Sequence, residues 1–357
     1  MFSKRILFVL VVVLTGLLAV PAVPSSGQDD PGVTINLTPY EGNPILDKGP
    51  AGSWESGAIY MPAVVFHEGL YHMFYTGNNF RDAIALGYAT SSDGLVWEKY
   101  ASNPVFGGDG TGFDAACVFA PAVLVEGDTW VVYYSAQERC FTPGDIGRAT
   151  APAPTGPWTR EEQPVLRLGS KGEWDSGFVF PFSVIATGEG YRLYYGGVGD
   201  SGEAVGMLGL ATSPDGITWT KFDDPSTTES PFAKSDPVLQ VSAEGWDTIA
   251  LVPYASVRQS GEGWEMFYSG RGQLEGSTAE AFRIGYATSD DGIHWVKYDG
   301  NPVLTGDDDP AEPADQYTDL AAGAAVVNDS TYLLYYDYYP SAAGSGIGVA
   351  TGTVTRE

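Results

Sequence analysis

The sequence predicts an all-β fold, a five-bladed β-propeller whose last blade is closed by the N-terminal strand. Three observations lead to this prediction: a unit that recurs five times, strand segments rich in aromatic and β-branched residues inside each unit, and a fourth strand that is missing at the C-terminus and present at the N-terminus. The 357 residues include 46 Gly and 24 Pro, as a fold with frequent tight turns requires. Long helices are therefore not expected.

The recurring unit opens with a short proline motif. The openers are Asn43-Pro44, Asn103-Pro104, Gln163-Pro164, Asp236-Pro237 and Asn301-Pro302. They follow one another at intervals of roughly 60 to 75 residues, a spacing typical of repeat architectures with several strands in each unit. Five openers indicate five units.

The segments of the units follow one order. An aromatic–acid pair, present in four units, precedes an apolar strand, which is followed by an aromatic strand and a Gly-x-Ala-Thr strand. In three units an Asp-Gly turn then leads to a Trp, whereas the second unit has residues 153–158 (Ala-Pro-Thr-Gly-Pro-Trp) in its place. The turns are Asp93-Gly94, Asp215-Gly216 and Asp291-Gly292. Asp-Gly favours a tight connection between antiparallel strands. One four-stranded meander cannot bury both of its faces, so the units are expected to stack radially.

The two ends of the chain indicate that the units close into a ring. The fifth unit has a third strand at residues 346–351, but no Asp-Gly-x-x-Trp segment follows before Glu357. Residues 37–44 match residues 295–302, which form the fourth strand and opener of the preceding unit. We therefore expect the N-terminal strand to complete the last blade and to cover its edge.

Residues 1–26 have the pattern of a signal peptide. Lys4 and Arg5 precede an apolar run that extends to Val20, and small residues follow it. The alternative is an uncleaved membrane anchor. We expect residues 33–357 to form a single propeller domain that is secreted, periplasmic or held at the cell surface, with no transmembrane segment after removal of the signal.

The formal net charge of -27, from 45 acidic and 18 basic residues, restricts the partners. Such a surface repels phosphate backbones, so nucleic acid is not expected to bind. Polyanionic sugars are disfavoured for the same reason, whereas neutral glycans are not. The acidity can also reflect only solubility or a salty habitat. We expect a monomer.

The repeat resembles that of the five-bladed glycoside hydrolases of families 43, 32, 68 and 130, the arabinanase, β-xylosidase, invertase and levansucrase relatives. The matching motifs are Ala-Thr-Ser-x-Asp-Gly-x-x-Trp and the Pro-x-Val strand followed by a Gly-x-Tyr strand. The resemblance implies hydrolysis of glycosidic bonds in neutral poly- or oligosaccharides. The usual catalytic acids are absent, however: their places fall on Met61, Phe180 and Leu251, and the Asp-Pro of family 130 is Ala120-Pro121 here.

Other carboxyl groups gather at the funnel face, which carries the approach to each first strand and the loop after each second strand. Glycosidic hydrolysis needs two carboxyl groups about 5–9.5 Å apart. The candidates for catalysis are Glu55, Asp175 and Asp247, and Glu55 is the only Glu at its repeat position. The candidates for substrate binding are Trp54, Asp114, Trp174, Trp246, Arg81, Asp82, Arg139 and Arg271. The other charged residues expected in loops of this face include Glu138, Asp200, Glu203, Glu275, Glu280 and Asp337.

The aromatic–acid pairs also have a structural interpretation. A feature present in four units is usually a repeat signature with a packing or hydrogen-bonding role, because a catalytic site needs unlike residues in unlike blades. A non-catalytic carbohydrate-binding propeller and a structural or adhesion module therefore stay open. Two carboxyl groups beside an exposed aromatic ring in the funnel would favour an enzyme, and an apolar or filled funnel would favour the alternatives.

Cys117 and Cys140 are the only two cysteines. In an oxidising compartment one disulfide is the simplest expectation, and it would tie the loop after the second strand of the second unit. No cofactor is expected. The run Asp307, Asp308 and Asp309 offers calcium ligands, with a solvated acidic loop as the alternative.

Overall fold

The computed structural model describes residues 32–81, 84–200, 206–261, 263–273, 280–306, 319–328, 330–339 and 345–356. Within these ranges the regular structure consists of strands and one 3-10 turn at Gly112–Asp114. The predicted all-β class is therefore confirmed. No helix in the same ranges is long and apolar enough to cross a membrane.

The strands, numbered in chain order, fall into five four-stranded units. The first is β3 (Ala58–His67), β4 (Leu70–Asn78), β5 (Ile84–Ser91) and β6 (Glu98–Lys99). The second is β7 (Cys117–Glu126), β8 (Thr129–Gln137), β9 (Asp145–Ala151) and β10 (Thr159–Arg160). The third is β11 (Phe178–Thr187), β12 (Gly190–Val198), β13 (Met207–Ser213) and β14 (Thr220–Lys221), with β15 (Pro237–Leu239) added beside β13. The fourth is β16 (Ala250–Ser260), β17 (Gly263–Gln273), β18 (Glu280–Ser289) and β19 (Val296–Lys297). The fifth is β20 (Asp319–Asn328), β21 (Thr331–Tyr339), β22 (Gly346–Arg356) and β1 (Val33–Pro39), with β2 (Leu46–Asp47) beside β22.

The first strands of the units form a closed ring around a common axis. Within each unit, successive strands pair antiparallel. The first strands β3, β7, β11, β16 and β20 contact one another in this order, and β20 returns to contact β3. This cyclic contact is the arrangement of a propeller, in which each first strand is the innermost of its blade.

The N-terminal strand completes the fifth unit, as predicted. Strand β1 pairs antiparallel with β22 over its whole length, from Val33 opposite Arg356 to Pro39 opposite Ala350. The two ends of the chain thus share one sheet. The pairing covers the edge that β22 would otherwise expose.

A buried Tyr–Gly pair recurs in the sheet of every unit. The pairs are Tyr75–Gly87, Tyr134–Gly147, Tyr195–Gly209, Tyr268–Gly285 and Tyr336–Gly348. A Cβ atom on Gly87 would lie 2.3 Å from the Tyr75 ring, which is closer than van der Waals contact allows. Glycine at this place therefore lets the tyrosine ring lie flat across the third strand.

The Asp-Gly turns also join neighbouring units. Oδ1 of Asp93 accepts hydrogen bonds from the amides of Leu95 and Val96, and Gly94 has the positive φ of 77° that such a turn requires. The Tyr335 hydroxyl of the fifth unit donates to the Gly94 carbonyl over 3.0 Å. The same contact is made by Tyr133 to Gly216 and by Tyr194 to Gly292. The turn predicted within a unit is thus also a contact between units.

Candidate functional site

The predicted acids of the funnel face are held by a network that repeats from unit to unit. The Glu55 carboxylate accepts a 2.9 Å hydrogen bond from the Tyr75 hydroxyl and lies 2.6 Å from the Lys99 ammonium. Asp175 is bound in the same way by Tyr195 at 3.1 Å and Lys221 at 2.5 Å. Asp247 is bound by Tyr268 at 3.3 Å and Lys297 at 2.6 Å, and Asp114 by Tyr134 at 2.8 Å and by Arg160.

Each of these four carboxylates is buried and bound within its own unit. The tyrosine comes from the second strand and the cation from the fourth, so the acid ties the entry loop to both strands. Burial of a charge is tolerated when it is paired and hydrogen-bonded in this way. This geometry favours the structural interpretation of the repeated acids. Their predicted catalytic and binding roles stay predictions.

The tryptophans of the aromatic–acid pairs pack against the same tyrosines. Trp54 stacks on Tyr75 with ring centroids 6.2 Å apart, and Trp174 stacks on Tyr195 at 5.5 Å. Trp246 lies 5.6 Å from Tyr268. Trp174 is buried, whereas Trp54 and Trp246 are half-buried. Sugar stacking by these rings stays a prediction, since one side of each ring is already in contact with the blade.

The predicted arginines occupy different environments. Arg81 and Arg139 are exposed in the loops that follow β4 and β8. The Arg271 guanidinium lies over the Phe282 ring, 5.3 Å from its centroid. Asp82 lies outside the described residues, as do Asp307, Asp308 and Asp309. Among the residues that the structure does describe, no group of three or more His, Cys, Asp or Glu side chains could hold a metal ion.

The predicted disulfide is present. Cys117 begins β7 and Cys140 lies in the loop after β8, with their Cα atoms 5.2 Å apart and the two sulfurs bonded. Cys117 is fully buried. The bond fixes the loop after the second strand to the innermost strand of the same unit.

The places of the usual catalytic acids are filled by apolar packing. Phe180 contacts Phe119 at a centroid distance of 5.7 Å and stacks on Phe178 at 5.9 Å. Met61 packs against this cluster and against the one that contains Leu251. The side chains near the starts of β3, β7 and β11 therefore form an apolar cluster that joins the first three units.

One carboxyl group, that of Asp337, has no counterpart at the equivalent positions of the other units. It lies next to β3, one of the innermost strands. The residue after the buried tyrosine of β4, β8, β12, β17 and β21 is Thr76, Ser135, Gly196, Ser269 and Asp337, respectively. Asp337 therefore lies in strand β21, and the prediction that it lies in a loop is wrong. The sequence does contain the signal, since a carboxylate here replaces a small or hydroxyl-bearing residue in one unit only.

Asp337 joins the fifth unit to the first. Its Oδ1 accepts a 2.6 Å hydrogen bond from the Met61 amide. The equivalent bonds are those from the Ala120 amide to Thr76 at 3.0 Å and from the Ala322 amide to Ser269 at 2.6 Å. Pro181 takes the equivalent place in the third unit and has no amide hydrogen, and there the Ser135 hydroxyl donates to the Val179 carbonyl instead.

The surroundings of Asp337 favour its neutral form. The side chain is 0% exposed, and burial raises its pKa well above the usual range, although the hydrogen bond from the Met61 amide acts in the opposite direction. Burial, and then the charge of Asp337, also raises the pKa of Tyr254. The pKa of Tyr60 is raised to about 12 by burial, with a smaller contribution from Asp337. Asp337 thus lies among groups that hold their protons at neutral pH.

Comparison with known proteins gives a sequence relative and several structural neighbours. No family model matches the chain. The uncharacterized protein Rv1502 of Mycobacterium tuberculosis is 27% identical over 204 residues, which are 56% of this chain and 63% of that protein. The chain thus matches less than two thirds of this relative's length.

The structural neighbours share the fold at low sequence identity. A glycosyl hydrolase from Bacteroides ovatus has a TM-score of 0.63 at 18% identity, covering 89% of this chain and 93% of that one. The β-1,2-mannobiose phosphorylase from Listeria innocua has a TM-score of 0.63 at 14% identity, with coverage of 89% and 97%. A third neighbour has a TM-score of 0.64 at 17% identity, with coverage of 90% and 96%. It comes from the GH130 family of mannoside phosphorylases, which contains glycoside hydrolases that target β-1,2 mannosidic linkages in Candida mannan. The chain therefore has the β-propeller fold of glycoside hydrolases and mannoside phosphorylases.

Proposed function

We propose that the protein is an exported, carbohydrate-active propeller that hydrolyses glycosidic bonds in neutral poly- or oligosaccharides at its funnel face. The observation that carries this proposal is Asp337, a buried carboxyl group present in one unit where the others have Thr, Ser or Gly. Departure from a repeat rule at one position is typical of a functional residue. The fold shared with glycoside hydrolases supports the same reaction class, by analogy.

Asp337 has the properties of a general acid. Cleavage of a glycosidic bond requires a proton for the leaving oxygen, and a carboxyl group kept neutral by burial can supply it at neutral pH. Because no part of Asp337 is exposed, a glycan would have to displace the half-buried side chains that adjoin it, Met61 and Tyr339.

Glu55 is bound in its unit like the other repeated acids but is the only Glu among them, and it is the proposed second carboxyl group, which would activate the attacking water. It lies on the loop that enters β3, the strand whose Met61 amide binds Asp337. The Lys99 ammonium lies 2.6 Å from Glu55 and holds its side chain in place. A neutral acid and an ionised base in different environments are the usual division of roles in glycosidases. Asp175 and Asp247 stay predicted candidates for the same role.

A neutral substrate and an exported protein fit the remaining observations. The formal net charge of -27 opposes the approach of an anionic glycan. The Cys117–Cys140 disulfide is typical of an oxidising compartment, to which the predicted signal peptide at residues 1–26, outside the described residues, would direct the chain.

A second candidate is a carbohydrate-binding propeller without catalysis. It is favoured by the apolar packing of Met61, Phe180 and Leu251, which fill the places of the usual catalytic acids. Such a protein would bind the same neutral glycans and release no product.

A panel of neutral glycans separates the two candidates. Wild type is incubated with each glycan and reducing ends are measured, beside Asp337→Asn and Glu55→Gln, and binding is followed in parallel by titration calorimetry. We expect cleavage of at least one glycan and a loss of about 10²-fold or more in kcat for Asp337→Asn. Cleavage unaffected by Asp337→Asn would overturn the assignment of Asp337, and binding without product would establish the second candidate.

A further inference from the structure

Two exposed phenylalanines at the funnel face have a strained backbone conformation. Phe80 and Phe141 lie in the loops after β4 and β8 and are 47% and 52% exposed. Their φ angles are 58° and 65°, in the left-handed region that bulky residues rarely adopt. Such a conformation persists only where its surroundings hold it.

The same kind of hydrogen bond fixes the backbone of both phenylalanines. The Phe80 amide donates to Oδ1 of Asn78 over 3.2 Å, and the Phe141 amide donates to Oε1 of Gln137 over 2.9 Å. Asn78 and Gln137 are both buried, and both stand three residues after the buried tyrosine of their second strand. The first two units thus use equivalent side-chain amides to fix an exposed aromatic residue.

The two amides are themselves fixed. Nδ2 of Asn78 donates to the Tyr60 hydroxyl over 3.1 Å, and Nε2 of Gln137 donates to the Thr142 carbonyl over 2.6 Å. Each side-chain amide is thus hydrogen-bonded through both its oxygen and its nitrogen, which leaves the loop backbone little freedom.

Each phenylalanine has a further restraint of its own. The Phe80 ring lies against Gly57, where an added Cβ would come within 2.6 Å of the ring. Phe141 follows Cys140, which is bonded to the buried Cys117 at the start of β7. The orientation of both residues is therefore set by the fold.

Scattered exposed apolar residues are normal on a protein surface and need no explanation. Glycine would, however, adopt these φ angles without strain. In two adjacent units, a strained backbone is hydrogen-bonded to a buried side-chain amide and carries an exposed ring. This repetition indicates that the exposed ring itself takes part in binding. Cys140, which precedes Phe141, and Met61 both pack against the buried apolar cluster that contains Phe119 and Phe180.

We propose that Phe80 and Phe141 form an aromatic platform that stacks on the apolar faces of the sugar rings of a neutral glycan, across the first and second units. Aromatic faces offer a large apolar area at fixed orientation. The net charge of -27 selects against anionic glycans, and the phenylalanine rings carry no charge of their own. This inference deepens the proposed function and rests on it.

Titration calorimetry with a neutral oligosaccharide taken from the glycan panel tests the platform. Phe80→Ala and Phe141→Ala are each expected to raise Kd roughly tenfold, and the double variant roughly a hundredfold, since about 1.4 kcal/mol corresponds to a factor of ten. In turnover assays KM should rise while kcat is retained, because stacking contributes equally to ground-state and transition-state binding. The matched control is Phe66→Ala, which removes a 48% exposed phenylalanine near the other end of β3 and should leave Kd unchanged.

A glycine variant separates binding from folding. Phe141→Gly relieves the positive φ, so its Tm should equal or exceed that of the wild type while its Kd rises as in Phe141→Ala.

Three outcomes would overturn the platform. One is a Kd within twofold of wild type in both alanine variants while Asp337→Asn abolishes cleavage, which leaves the proposed function intact. Another is conversion of a dimer to a monomer by these variants, seen in sedimentation, without a change in Kd; the rings would then be a contact between copies. If wild type neither binds nor cleaves any neutral glycan, the proposed function fails and the platform fails with it.

Discussion

The Met61 amide donates a 2.6 Å hydrogen bond to the Asp337 carboxyl group and thereby joins the first and last units of the ring. Asp337→Ala should lower the free energy of unfolding by roughly 1–3 kcal/mol, because the Met61 amide loses its acceptor in a partly buried place. Asp337→Ser should retain most of this stability, since Ser269 accepts the equivalent bond in the fourth unit. Urea denaturation of the three proteins measures the difference. Equal stability of the alanine and serine variants would contradict this role of the bond.

The buried Asp337 carboxyl group should make the stability of the protein depend on pH. Its pKa in the folded protein is raised above the unfolded value of about 3.9, so its contribution is fully present below that pH and is lost as the pH rises toward the raised folded pKa. The pKa values of the nearby Tyr60 and Tyr254 are raised by burial, so these two side chains stay neutral in the acidic to neutral range. We therefore expect the free energy of unfolding of wild type to fall relative to that of Asp337→Asn as the pH rises above about 4. Parallel curves for the two proteins would show that Asp337 does not titrate in this way.

The Asp247–Lys297 pair tests whether the repeated acids are structural. Lys297→Met leaves the buried Asp247 carboxylate without its cation and should cost about 3–5 kcal/mol of unfolding free energy. The double variant Asp247→Leu with Lys297→Met should recover much of this loss, since an apolar pair can replace a buried ion pair. We expect kcat to be retained in the double variant. Loss of kcat at unchanged stability would instead support the predicted catalytic role of Asp247.

The Tyr75–Gly87 pair should tolerate no side chain on the third strand. Gly87→Ala would place a Cβ 2.3 Å from the Tyr75 ring, which is fully buried. Overpacking of this kind costs about 1–3 kcal/mol. The matched control is Gly188→Ala, where a Cβ meets no atom within 4 Å. Chemical denaturation compares the two variants, and a loss of the same size in both would rule out the steric explanation.

The Asp-Gly turn at Asp215 should respond to acid. Hydrogen bonds from the amides of Thr218 and Ile217 lower the pKa of Asp215 to about 2. A lowered folded pKa contributes stability that is present above the unfolded pKa and is lost as the pH falls toward 2. Asp215→Asn should therefore be less stable than wild type at neutral pH, and the difference should shrink in acid. A pH-independent difference in thermal unfolding would exclude the carboxylate charge as its cause.

The architecture could be predicted from local sequence signals because each unit repeats them. The proline openers and Asp-Gly turns fix the order of strands in a unit, and the match between residues 37–44 and residues 295–302 predicts that the N-terminal strand pairs with the last unit. The disulfide followed from a cysteine count of two. None of these inferences needs a side-chain contact.

The site residues were harder to predict because their roles depend on contacts distant in sequence. Glu55 is bound by Lys99, and Asp247 by Lys297. The sequence predicts the strands that carry these lysines, but not the direction in which the side chains point. The special place of Asp337 becomes visible only when the second strands are aligned on their buried tyrosines. Likewise, Phe80 and Phe141 combine an exposed ring with a positive φ angle, and no local sequence motif predicts these angles.

The dependence of cleavage on the leaving group tests the role of Asp337 most directly. A glycoside with a good leaving group, such as a dinitrophenolate, departs without protonation, whereas a sugar leaving group requires a proton from the general acid. If Asp337 is that acid, Asp337→Asn should lose about 10²-fold or more in kcat on the natural glycan and retain near wild-type kcat on the activated glycoside. An equal loss on both substrates, or no loss on either, would contradict the assignment of Asp337 as the proton donor.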